Sequence, residues 1–150
     1  MKIEDLPKYT WEELKEIPEN TVIAKWDYED NPDMKCMIVR SAFSLFAAIG
    51  VSNRHPLAGF NYNDIPISCH YGLTFSDRGW DNSCFDKDYY WYGWDYAHCD
   101  DFCFSHKEGE FINNKKWLVE YVFKDMWSPL YDFNLLCGLS VKIANKYQFK

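Results

Sequence analysis

Apolar and polar positions along the chain change period several times, and each change marks an element. Thr10-Trp11-Glu12-Glu13 has the S/T-x-x-E spacing in which a threonine oxygen and a glutamate satisfy each other's free amides. Leu14 and Ile17 follow at core spacing, so a short helix is predicted there, ended by Pro18. Thr21 to Trp26 reads as a strand leading into an Asp30-Asn31-Pro32-Asp33 turn, and Met34 to Arg40 and Leu45 to Ser52 read as the strands of a hairpin. After the Asn53-Arg54-His55-Pro56 turn and a polar loop from Gly59 to Asp64, strands are expected from Ile65 to Ser76 and from Tyr89 to Ala97. The polar connector between them is long enough to act as a flexible lid. Lys116 to Lys124 places Trp117, Val119, Tyr121 and Phe123 at alternating positions, which fits a strand with one buried face and leaves a helix as the alternative. Ser128-Pro129 is a helix-start pair, followed by Phe133, Leu136, Leu139, Ile143 and Tyr147 at three- and four-residue spacing. The architecture that buries all these stripes is α+β, an antiparallel sheet of four to six strands packed against a C-terminal helix and a shorter N-terminal one.

Composition narrows the class. The chain has 150 residues, 47% of them hydrophobic and 26% charged, without repeats or low-complexity stretches, which describes one domain spanning 1–150. No apolar run approaches the roughly 20 residues a membrane span needs, and the Met1 end has no basic-then-apolar signal pattern, so a cytoplasmic protein without membrane contact is expected. The net charge of -7 opposes binding to a nucleic-acid backbone, which excludes DNA or RNA as the expected partner. The six cysteines are expected to be free thiols, because the chain is large enough for a core of its own.

Candidate chemistry gathers at histidines and aromatic rings. His70 and His98 could act as general acid and base if their rings share one face, with Asp95 orienting one of them, because imidazole titrates near neutral pH. His98, Cys99, Cys103 and His106, with Cys84 upstream, include zinc-type ligands. They lack a second close pair, so neither a metal nor any other cofactor is assigned. In the run Tyr89 to Tyr96, alternation sets Tyr90, Tyr92, Trp94 and Tyr96 on one face and Tyr89, Trp91, Gly93 and Asp95 on the other. One set then forms core and the other lines a surface, oligomer contact or groove, where Tyr and Trp rings could stack on a nucleobase. Gly93 marks close approach of another group. The acidic positions Asp77, Asp81, Asp86 and Asp88 make a surface that either keeps the chain soluble or meets a basic protein.

Four ordered elements carry a resemblance. His55-Pro56-Leu57-Ala58-Gly59, Tyr62-Asn63-Asp64-Ile65, His70-Tyr71-Gly72-Leu73-Thr74-Phe75-Ser76 and Trp91-Tyr92-Gly93-Trp94-Asp95-Tyr96-Ala97-His98 through Asp101 resemble the pattern of an uncharacterised family of small bacteriophage and prophage proteins. Arg54, Tyr71 and Asp100 stand where that pattern has glycine. The resemblance implies a phage accessory protein acting in the host cytosol against host defence. Three readings follow. One is a module that sequesters a nucleotide-derived immune signal, with Tyr92, Trp94 and Tyr96 around the base and Arg54, His55, Asp64 and Asp101 among the ligand contacts. The second is a histidine-dependent hydrolase or phosphodiesterase using His70, His98 and Asp95. The third is an acidic inhibitor of a host defence protein. A homo-oligomer fits each of them.

Overall fold

A computed structural model describes residues 1–29, 31–55, 57–97 and 118–136. The first helix, α1 (Trp11–Glu16), starts with the reciprocal cap its spacing predicts. The Glu13 N–H donates to the Thr10 hydroxyl at 3.2 Å and the Thr10 N–H donates to the Glu13 carboxylate at 3.1 Å. It closes at Ile17, because the residue before a proline is driven out of helical geometry.

Five strands form one sheet: β1 (Thr21–Tyr28), β2 (Asn31–Arg40), β3 (Leu45–Ser52), β4 (Phe75–Arg78) and β5 (Tyr89–Asp95). Their order is β1-β2-β3-β5-β4 and every neighbouring pair is antiparallel. The β2–β3 hairpin matches the expected one from Met34 onward. The preceding turn is tighter than expected, with Asn31, Pro32 and Asp33 already in β2. The strand expected from Ile65 forms only at Phe75. Ile65 and Ile67 still turn into the core while Pro66 and Ser68 face outward, but a turn closed by Gly72 N–H on Cys69 C=O at 2.9 Å interrupts the segment before Leu73.

Where alternation at 117–123 suggested a strand, the chain forms α2 (Leu118–Asp125), followed across a turn at Met126 by helical residues 127–136. Leu118, Val119, Val122, Phe123, Met126, Leu130 and Phe133 make one buried stripe at helical spacing. That stripe is longer than the four-residue alternation that competes with it. Leu130 N–H bonds to Met126 C=O at 2.9 Å, so Ser128 lies inside the first turn rather than at its cap, and Pro129 occupies a position where a missing N–H costs little. The expected continuation to Tyr147 lies outside the described residues. The result is an α+β fold.

Both faces of the sheet are covered. The main core packs α1, α2 and segment 127–136 on Cys36, Ile38, Ala47, Ile49, Val51, Tyr92 and Trp94. The opposite face buries Met37, Val39, Ala48 and Trp91 under the connector between β4 and β5. Phe85 holds that connector down, with ring centroids 5.7 Å from Trp91 and 5.4 Å from Phe75, and the Trp91 indole N–H donates to Asp86 C=O at 3.0 Å. The expected lid is therefore an anchored plug. Arg40, only 8% exposed, pins α1 to the hairpin: its guanidinium donates to the carbonyls of Leu14, Lys15, Ser41 and Ala42. Burial lowers its pKa, and the favourable site for a cation at a helix C-terminus offsets part of that cost.

Candidate functional site

The aromatic strand β5 separates core from surface differently than alternation alone suggests. Tyr92 and Trp94 are fully buried and Tyr96 is 4% exposed. Tyr92 donates its hydroxyl to Leu57 C=O at 2.5 Å, the Trp94 indole donates to the Tyr96 hydroxyl at 3.1 Å, and Tyr96 donates to the Asp125 carboxylate at 2.5 Å. The rings of Tyr92, Trp94 and Tyr96, expected around a base, are thus core and leave no face for stacking. The group that closely approaches Gly93 is the Phe46 ring: a Cβ at Gly93 would lie 2.3 Å from Phe46 Cζ and 2.8 Å from Ala47 O. A neighbouring strand, not a ligand, accounts for that glycine.

His70 stacks on Tyr96, with centroids 4.5 Å apart and planes inclined by 15°. Alternation sends Asp95 to the opposite face of β5, where its carboxylate accepts from Ala97 N–H at 3.1 Å. The strand therefore does not direct Asp95 toward His70. His98 and Asp101 lie outside the described residues, as do Cys99, Cys103 and His106. Burial, and then the bond to Asp125, push the Tyr96 phenol far above its ordinary range, so it stays protonated and donates. Cys69 beside it is pushed up to about 12, first by burial and then by the Asp125 charge, and is an unreactive thiol. Asp125 sits in the last turn of a helix read as a strand, so only a correct reading of α2 could have paired it with Tyr96.

Arg54 lies elsewhere, on the turn after β3, where it joins Lys35, Ser52, Asn53, Asp86, Asp88 and Tyr89 around an open polar cleft of about 520 Å³. The connector is tied to that turn by backbone: Asn53 N–H donates to Asp88 C=O at 3.1 Å, and the Asn53 amide donates to Lys87 C=O at 2.8 Å. Tyr89 is fixed by its own hydroxyl, which donates to Pro32 C=O at 2.6 Å, and the Lys35 ammonium sits 5.7 Å from its ring centroid. Lys35 also pairs with Asp27 at 2.6 Å, which raises the lysine pKa. Of the lining residues only Arg54 is an expected ligand contact; Lys35, Ser52, Asn53, Asp86, Asp88 and Tyr89 are not. The antiparallel register that brings β2, β3 and β5 side by side is what assembles them.

His55 and Asp64, expected beside Arg54, are not among the residues lining this cleft. His55 Nδ1 accepts from Leu57 N–H at 3.2 Å, and burial lowers its pKa against a smaller opposing effect of Asp33. It is a neutral turn-forming imidazole. Asp64 is exposed in the single-turn helix Tyr62–Asp64. Among the described residues no group of three His, Cys, Asp or Glu side chains is placed to hold a metal. Cys36, Cys69 and Cys84 are free thiols. No helix among the described residues is long and apolar enough to cross a membrane. No protein-family model, curated protein or solved structure matches this chain.

Proposed function

We propose that the chain is a binding module for a small nucleotide-derived ligand, held in the Arg54 cleft and released chemically unchanged. The observation that carries this reading is the convergence of Arg54, Lys35, Ser52, Asn53 and the fixed Tyr89 ring on one polar space of about 520 Å³, within the range of small-molecule sites. Each polar feature has a use. The Arg54 fork suits a phosphate, which it can meet with two parallel N–H bonds, and Lys35 adds a point charge beside it. Asp86 and Asp88 would repel a phosphate but accept hydrogen bonds from ribose hydroxyls, which orients the ligand with its phosphate toward Arg54. Tyr89 contributes ring surface where the base would lie.

Binding is favoured over hydrolysis because this cleft contains no histidine and no thiol among its lining residues. In the phage setting the resemblance implies, such a module would lower the free concentration of a nucleotide immune signal in the host. Calorimetric titration with a panel of cyclic and linear nucleotides tests it. One or more should bind, and Arg54→Glu should weaken that binding by at least about tenfold, the usual scale for losing a charge-assisted pair. Arg54 is exposed, so the variant folds. Equal binding by the variant would show that the cleft is not where the nucleotide sits.

A further inference from the structure

A second depression lies between the end of β1 and the helical residues 127–136, and its chemistry is the reverse of the Arg54 cleft. Its volume is about 400 Å³, and Trp26, Tyr28, Phe123, Trp127 and Tyr131 line it together with Asp27, Glu29, Met1 and Leu130. The rings stand as non-parallel walls. Trp26 meets Phe123 at 5.1 Å and 65°, and Phe123 meets Trp127 at 6.1 Å and 80°. Trp127 and Tyr131 are 53% and 57% exposed, which keeps large ring area open to whatever enters. No lysine, arginine or histidine is among the lining residues, and the charged groups there are the Asp27 and Glu29 carboxylates and the Met1 α-ammonium. Asp27 is engaged by Lys35, so Glu29, exposed at the mouth, supplies most of the anionic character. Tyr28, its phenol pKa raised by burial and then by the Glu29 charge, stays neutral there.

We propose that this groove binds the methylated ammonium group of a small organic cation. Trp127 and Tyr131, both largely exposed, offer open ring surface beside the Glu29 carboxylate, and such surface attracts a cation of low hydration. A primary ammonium carries three N–H donors that need acceptors, and the groove offers mostly carbon. A quaternary ammonium has no donors to satisfy and spreads its charge over methyl groups that also bury apolar area. The groove shares no lining residue with the Arg54 cleft, so the site is separate and does not depend on the nucleotide proposal.

The test is a titration of the full chain with choline, followed through the indole N–H signals of Trp26 and Trp127 by NMR, with 3,3-dimethyl-1-butanol as the uncharged isostere and ethanolamine as the primary amine. Choline should shift both signals saturably, and each control should bind about tenfold more weakly. Trp127→Ala, at an exposed position, should weaken choline by about tenfold while the remaining spectrum stays dispersed, and Glu29→Gln should weaken it severalfold. Equal binding of the neutral isostere would reduce the groove to an ordinary apolar surface. Shifts that survive Trp127→Ala and Tyr131→Ala, or no shift at all, would overturn the proposal.

Discussion

At the scale of single residues, environment decides what a candidate side chain can do. His55 was attractive as a ligand contact, yet its Nδ1 is committed to Leu57 N–H and burial lowers its pKa from 6.5. The sign of the consequence follows from linkage. The unfolded imidazole takes up its proton near pH 6.5 and the folded one only at lower pH, so just below 6.5 the unfolded chain binds more protons. The stability His55 contributes is therefore complete above that pH and is lost as pH falls toward its folded pKa. Urea denaturation at stepped pH should show wild type losing more stability than His55→Gln across mildly acidic pH, since glutamine keeps an acceptor without a titrating group. Parallel losses would contradict the assignment. Tyr71 illustrates another residue-scale constraint: it adopts φ +57 at a position where the resembled phage pattern has glycine, a conformation that costs a side-chain-bearing residue about 1 kcal/mol.

At the scale of elements, legibility followed how local the determining interaction is. The α1 cap could be read because Thr10 and Glu13 satisfy each other within one turn, and β3 because its partner is the adjacent strand. Residues 65–74 misled because Ile65 to Ser68 alternate like a strand on the core, and the turn at Cys69 to Gly72 that breaks the run has Tyr71 in the left-handed conformation, where glycine would have signalled it. Val119 and Phe123 fit both an alternating and a helical stripe, and only Met126, Leu130 and Phe133 further along decide for the helix. Tyr92 and Trp94 misled for a longer-range reason: α1, α2 and residues 127–136 cover their face of the sheet, and the connector covers the other. Expecting one open face ignores the plug that Phe85 inserts, and the plug comes from a polar connector with no periodicity to reveal it. Phe85→Ala should cost about 2 kcal/mol, below the loss typical of a fully buried phenylalanine because Phe85 is partly exposed, and should speed exchange of the Trp91 indole proton. An unchanged unfolding midpoint with unchanged exchange would show that the connector is held otherwise.

At the scale of the whole molecule, covering both sheet faces moves functional capacity to the ends of the strands. The Arg54 cleft and the aromatic groove both lie there, and Lys35 and Asp27 join them: Lys35 lines the first, Asp27 lines the second, and the two are paired at 2.6 Å. Of the residues expected to meet a ligand, only Arg54 lines either space, because strand register, which a single sequence does not display, chooses its neighbours. The net charge of -7 opposes a nucleic-acid backbone, whereas a small phosphate-bearing ligand needs only a local contact such as the Arg54 guanidinium, which shares its cleft with Asp86 and Asp88. The central claim is that this cleft holds a nucleotide without altering it. Native mass spectrometry of the protein incubated with the nucleotide panel, followed by denaturation and weighing of what is released, tests that claim most directly. An adduct is expected on wild type, lost in Arg54→Glu, with a released ligand of unchanged mass; a cleaved product, or an adduct retained by the variant, would contradict the claim.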